Sequence, residues 1–133
     1  MLWETQWNDF LTRNGYWFIK QPNRDKSILQ HIIKHCERIQ NALARFGDNF
    51  ETFQNDDVLR DAVSMNLEQI GELAKRFSDE FLTATLPEIN WRAISGMRNL
   101  FAHDYGAMDI ERIWETAVND IPELLAYCKS KLE

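Results

Sequence analysis

The amino-acid sequence predicts an all-α fold, an antiparallel four-helix up-and-down bundle with an extra N-terminal helical arm. Three observations carry this. Glycine and proline are scarce, five and three in 133 residues, so few positions force a turn. Apolar residues recur three or four apart along nearly the whole chain, the period of a helix buried on one side. Alternation of apolar and polar residues never lasts long enough for a strand. Four such segments joined by short connections pack as antiparallel neighbours.

Residues 1–22 form the arm. Leu2, Trp3, Trp7, Phe10 and Leu11 can share one amphipathic stripe, Gly15 interrupts it, and Tyr16 to Ile19 are apolar, with Gln21, Pro22 and Asn23 as a linker. The arm reads either as a short helix packed on the bundle or as a swapped or oligomer-forming segment. The bundle occupies residues 23–133. Its first helix spans residues 25 to about 46, with Ile28, Ile32, Cys36, Ile39, Leu43 and Phe46 as the buried stripe, and stops at Gly47-Asp48-Asn49. The second runs from 57 to about 82, capped by Asn55 or Asp56, with Val58, Ala62, Met65, Ile70, Leu73, Phe77 and Phe81 as its stripe. Pro87 breaks the chain. Asn90 can cap a third helix from Trp91 to somewhere between Asp104 and Gly106. Asp109 can cap a fourth, with Ile110, Ile113, Trp114, Ala117, Ile121, Leu124 and Cys128 on one side. Pro122 should kink or split it, with Asp120 capping the second half.

The length suits one domain that holds a core without disulfides or a structural metal. A net charge of −6 and a pI near 5.1 argue against a broad non-specific nucleic-acid surface. They leave room for a small local RNA site and for partners bearing positive charge. Cys36 and Cys128 lie in apolar-periodic stretches and read as buried thiols in a reducing cytoplasm. No apolar run is long enough for a membrane span, and Glu4 and Asp9 do not suit a signal peptide. His31 and His35 are four apart but lack an evident third ligand, so neither a metal nor a cofactor is expected.

The chemistry concentrates between residues 91 and 106. On a helical wheel, Ala93, Ile94, Met97, Leu100 and Phe101 share one arc, the core side, while Arg92, Ser95, Gly96, Arg98, Asn99, Ala102 and His103 share the other. Tyr105 falls near Arg98 if the helix lasts that far. Gly96 inside a helix costs about 1 kcal/mol relative to alanine. Together with Ser95 and Ala102 it implies that something approaches this face closely: a second helix, a second subunit or a substrate backbone. Arg98 and His103 stand about 140° apart on an ideal helix. They converge only if the last turn loosens, or if two copies of the motif meet in a dimer. An arginine fork holds phosphate, and a histidine takes or gives a proton near neutrality. A neighbouring positive charge favours the neutral, base-competent imidazole. The pair suits metal-free RNA cleavage, with attack of a ribose 2′-hydroxyl on the adjacent phosphate. By spacing alone, a capping arginine and a histidine bonding helix carbonyls explain the same residues.

The segment Met97-Arg98-Asn99-Leu100-Phe101-Ala102-His103-Asp104-Tyr105 resembles the HEPN signature, arginine and a polar residue followed after a spacer by histidine. The tyrosine in His103-Asp104-Tyr105 is similar to the variant of HepT-like proteins. Asn66-Leu67-Glu68-Gln69-Ile70-Gly71-Glu72-Leu73-Ala74-Lys75-Arg76-Phe77-Ser78, Trp91-Arg92-Ala93-Ile94, Ile113-Trp114-Glu115-Thr116 and Asn119-Asp120-Ile121-Pro122 match the same family in order. The resemblance covers residues 24 to 132. Asn90 stands where proline is more usual in the family, and residues 1–22 have no counterpart.

The resemblance implies a helical bundle that dimerises through its signature helices. It further implies a toxin of a type VII toxin–antitoxin system: a metal-independent endoribonuclease acting on tRNA or mRNA. Arg98 and His103 would be catalytic and Asn99 supporting. A cognate minimal nucleotidyltransferase antitoxin would neutralise it by AMPylation of Tyr105, since a bulky anion beside Arg98 fills the phosphate site. Glu72, Lys75 and Arg76 read as capping and salt-bridge residues rather than catalysts, and Asp104 as solvent-facing. Two other classes stand beside this one: a non-catalytic module that presents substrate or nucleotide to a nucleotidyltransferase, which the acidic charge favours, and a structural dimerisation domain.

Overall fold

The computed structural model describes Gln6, residues 24–99, the helical backbone of residues 100–104, and residues 109–133. The predicted arm and its boundary at residue 22 therefore lie outside the described residues, apart from Gln6. Every regular element among the described residues is helical: α1 (Arg24–Phe46), α2 (Phe50–Asn55), α3 (Asp57–Ala74), α4 (Asp79–Thr85), α5 (Trp91–Asp104), α6 (Ile110–Glu115), a π-helical turn (Thr116–Asp120) and α7 (Ile121–Leu132). α1 packs on both α3 and α7, and α3 packs in turn on α5. None of the described helices is long and apolar enough to cross a membrane.

Local chemistry sets the boundaries. α1 ends at Gly47, whose φ of +124° few side chains tolerate, and the Gly47 N–H bonds the Leu43 carbonyl. A short helix then follows where the sequence suggested only loop. Asn49 caps it by accepting from the Thr52 N–H at 2.9 Å, and Phe53 goes fully into the core. Asp56 caps α3 through the Leu59 N–H.

α3 is shorter than its periodicity predicts. The cause is Ser78, whose Oγ accepts from the Phe81 N–H and starts a new helix. Asp25, in the first turn of α1 and 53 residues earlier in the chain, fixes that break. Its carboxylate accepts from the Ser78 N–H at 2.8 Å and from the hydroxyl at 2.6 Å. The predicted stripe holds in its second half, where Ile70, Leu73 and Phe77 are buried, and is rotated in its first. Val58 and Met65 are 74% and 65% exposed, while Leu59, Val63 and Leu67 are buried in their place. Phe46 is likewise half exposed rather than buried, with the Arg45 guanidinium over its ring.

Asn90 does the work of a proline by another route. Its Oδ1 accepts from the Ala93 N–H and caps α5. Behind it, Trp91 is buried against Phe77, with ring centroids 4.6 Å apart, and donates Nε1–H to Thr85 Oγ1. Asp109 caps α6 through the Glu111 N–H. The predicted split at Pro122 takes the form of a π-turn. The Ile121 N–H reaches back to Thr116 O, and Pro122 sits in the first turn of α7, where its missing N–H costs little. Asp120 adopts helical geometry and makes no side-chain cap, contrary to the expectation.

Cys36 and Cys128 are unpaired and fully buried. Burial pushes both thiols up to about 12, so neither is a nucleophile at neutral pH. His31 bonds the Ser27 carbonyl through Nδ1. His35 donates Nδ1–H to Asn66 Oδ1 at 2.8 Å, linking α1 to α3. Burial holds the His35 pKa below its ordinary 6.5, against the Asn66 bond. The unfolded chain therefore binds this proton more readily than the folded one. The contribution to stability is whole above about pH 6.5 and is lost as pH falls through the folded-state pKa. His35→Gln should flatten the acid slope of Tm that wild type shows below that pH; an unchanged slope would assign it to other groups.

Candidate active site

The site is built where α3 and α5 come closest. Gly71 makes this approach possible. A Cβ placed there would lie 2.8 Å from the Arg98 backbone nitrogen and 3.0 Å from the Ile94 carbonyl oxygen. The helices therefore touch along the Ile94 and Arg98 edge of α5, and Arg98 stands at the helix–helix seam, not on the opposite face as the wheel suggested. Ala93, assigned to the core arc, is exposed instead.

Next to Gly71, Glu72 holds Arg98. Its Oε2 lies 3.1 Å from Arg98 Nε, and its Oε1 lies 3.5 Å from an Arg76 terminal nitrogen. Arg98 remains 39% exposed in its side chain. Because the carboxylate engages Nε, the guanidinium tip is directed past it with donors to spare. One tip nitrogen stands 3.5 Å from Asn99 Oδ1, and Lys75 Nζ reaches that same oxygen at 3.4 Å. Asn99 thus spaces two cations on one surface. Such a group concentrates positive potential locally in a chain whose net charge is −6.

The backbone of His103 belongs to α5, five residues beyond Arg98. The side chains of His103 and Asp104 and the whole of Tyr105 lie outside the described residues, so the described geometry brings together Arg98 and Asn99 of the predicted set. Glu72 and Lys75 join them. The sequence had given both a salt-bridge role, and they do form polar pairs, but with the motif residues themselves. Their signal was present in Gly71-Glu72 followed by Lys75: a glycine inside a helix next to a charge and one turn before another.

Gly96 behaves differently from Gly71. A Cβ there would meet nothing within 4 Å, so no close neighbour among the described residues accounts for it. Nor do three His, Cys, Asp or Glu side chains gather as a metal site among those residues.

The fold and seam define a class of small all-α domain, one in which a helix pair presents an anchored arginine, an asparagine and a lysine, with the backbone of His103 on the same helix as Arg98. The chain belongs to the ribonuclease HepT-like family, matched over residues 30–130. It is 36% identical over 105 residues to a candidate RNase of Caldanaerobacter subterraneus subsp. tengcongensis, covering 79% of this chain and 91% of the relative. It is 39% identical over 99 residues to a protein of Thermococcus cleftensis named probable ribonuclease HepT, covering 74% and 87%. A candidate RNase of Methanocaldococcus jannaschii is 33% identical over 104 residues, 77% of this chain and 84% of its own. No solved structure matches the chain.

Proposed function

We propose that this protein is a metal-independent endoribonuclease and the toxin of a type VII toxin–antitoxin pair. The observation that carries the reading is the Arg98 guanidinium, held by Glu72 through Nε and presenting its tip beside Lys75 and Asn99, on the helix that bears His103. The guanidinium receives the scissile phosphate and stabilises charge as the 2′-oxygen attacks phosphorus. His103 moves the proton, from the 2′-hydroxyl or to the departing 5′-oxygen. A 2′,3′-cyclic phosphate and a 5′-hydroxyl result. Two copies of α5 meeting in a homodimer would supply both an acid and a base. The open space at Gly96, where an added Cβ would meet nothing within 4 Å, supports a close approach on that face. A cognate nucleotidyltransferase transfers AMP from ATP to the Tyr105 hydroxyl, releasing pyrophosphate, and the added phosphate occupies Arg98.

The test uses protein made without the partner gene, with intact mass confirming unmodified Tyr105. Wild type should cleave tRNA or mRNA in EDTA, and His103→Ala should lose at least 10²-fold, the usual scale of general acid–base catalysis. No cleavage by a folded dimer over a broad RNA panel would instead favour a non-catalytic partner of the transferase, the reading to which the acidic net charge lends weight. For the dimer, Gly96→Leu should keep the helical spectrum and shift the protein to monomer by light scattering. A Gly96→Leu dimer of unchanged affinity would move the interface elsewhere.

A further inference from the structure

We propose that the cleft between the end of α3, α4 and the start of α5 is a nucleobase subsite, taking the base of the RNA nucleotide next to the phosphate at Arg98; it rests on the reading of that site as RNA-binding. The cleft measures about 410 Å³, within the range of small-ligand sites, roughly 300–1,000 Å³. Its floor is apolar: Ala74, Leu82, Ile89 and Trp91. Leu86 is 72% exposed, an apolar side chain left in water at the mouth of a cleft. Lys75, Arg92 and Ser95 form the polar rim. No carboxylate pairs with Lys75 or Arg92 among the described residues.

Lys75 joins the cleft to the candidate active site, because it lines the one and bonds Asn99 in the other. A strand crossing this surface would lay a phosphate at Arg98 and Lys75, and its neighbouring base would fall over the leucines. The Ser95 hydroxyl donates to the Arg92 carbonyl at 2.9 Å, which leaves its oxygen to act as an acceptor for an exocyclic amino group. An apolar floor with a cationic rim suits a base joined to phosphate better than either an apolar peptide or an inorganic anion.

Charge also separates this cleft from a larger one. Between α5 and α7 lies a cavity of about 680 Å³ whose rim carries Glu88, Asp120 and Glu123. Glu88 is paired with Lys131 at 2.8 Å, but Asp120 and Glu123 keep the rim acidic and unfavourable to a nucleic-acid strand, so size alone does not choose the subsite.

The test compares wild type with Leu86→Asn, a neutral change at an exposed position, and with Val58→Asn, an equally exposed control on the first turn of α3. Substrates are a short single-stranded oligoribonucleotide and matched strands with an abasic ribose at each position flanking the cut. Removing one flanking base should lower wild-type kcat/KM roughly tenfold, about 1.4 kcal/mol, chiefly through KM. For Leu86→Asn the same removal should cost at least threefold less, while Val58→Asn behaves as wild type. Equal base dependence in all three proteins overturns the subsite and leaves the ribonuclease reading standing. If wild type cleaves no RNA, the ribonuclease reading fails by itself, and fluorescence anisotropy of the same strands decides the cleft. Tighter binding of the intact strand by wild type than by Leu86→Asn supports it, and equal affinities overturn it.

Discussion

Arg98→Lys should leave the fold almost intact and lower kcat/KM by roughly 10²–10³-fold, the scale seen when one donor to a developing oxyanion is removed. The reason is the division of labour in the guanidinium. Its Nε engages Glu72 at 3.1 Å while the tip faces Asn99 and the open surface. A lysine ammonium has a single centre and cannot be held from behind while presenting a planar fork in front. The ion pair itself is partly exposed and contributes less than about 1 kcal/mol to stability, so Tm should move little. Glu72→Gln should weaken the reaction by a smaller factor, and should add almost nothing in the Arg98→Lys background, because Glu72 acts through Arg98. Additive losses would mean that Glu72 contacts RNA on its own. Full activity of Arg98→Lys would show that a point charge is enough and remove the fork from the mechanism.

Much of this arrangement was legible in the sequence, and the rest failed for identifiable reasons. Caps are local, so Asn90 and Asp109 could be read directly and Asp56 as one of two candidates with Asn55, and each of the three accepts a backbone N–H in the first turn of its helix. Ser78 was missed because its decisive partner, Asp25, is 53 residues away, and the apolar spacing through Phe77 and Phe81 continues across the break. The rotated first half of α3 has a similar cause. Val58 and Met65 fit a helical stripe as well as Leu59 and Val63 do, and only the position of α1 and α5 decides which row is buried. Asp120 failed as a cap because the π-turn carries helical geometry straight into α7. At the site, Arg98 and Asn99 were visible as residue types, but the wheel placed Arg98 away from the helix contact. That error follows from assuming that helices meet through large apolar side chains. Here they meet through the absence of one, at Gly71.

Gly71→Ala should therefore be damaging although alanine is the better helix former. In an isolated helix the change gains about 1 kcal/mol. In the bundle the new methyl would sit 2.8 Å from the Arg98 nitrogen and 3.0 Å from the Ile94 oxygen. Both are backbone atoms, so no side-chain rotation relieves the contact and α5 itself has to move. Overpacking of this kind costs about 1–3 kcal/mol, which exceeds the helix-propensity gain over most of that range and should lower Tm by several degrees. Activity should fall further than stability does. Displacing α5 carries Arg98 away from Glu72 and shifts His103 with it, and a misplacement of about 1 Å in a catalytic group can cost 10²-fold. The measurement is kcat/KM at a temperature where circular dichroism shows the variant fully folded. A tenfold or greater loss there assigns Gly71 to the positioning of Arg98. Wild-type activity in the folded variant would mean that the α3–α5 spacing matters to the core and not to the chemistry.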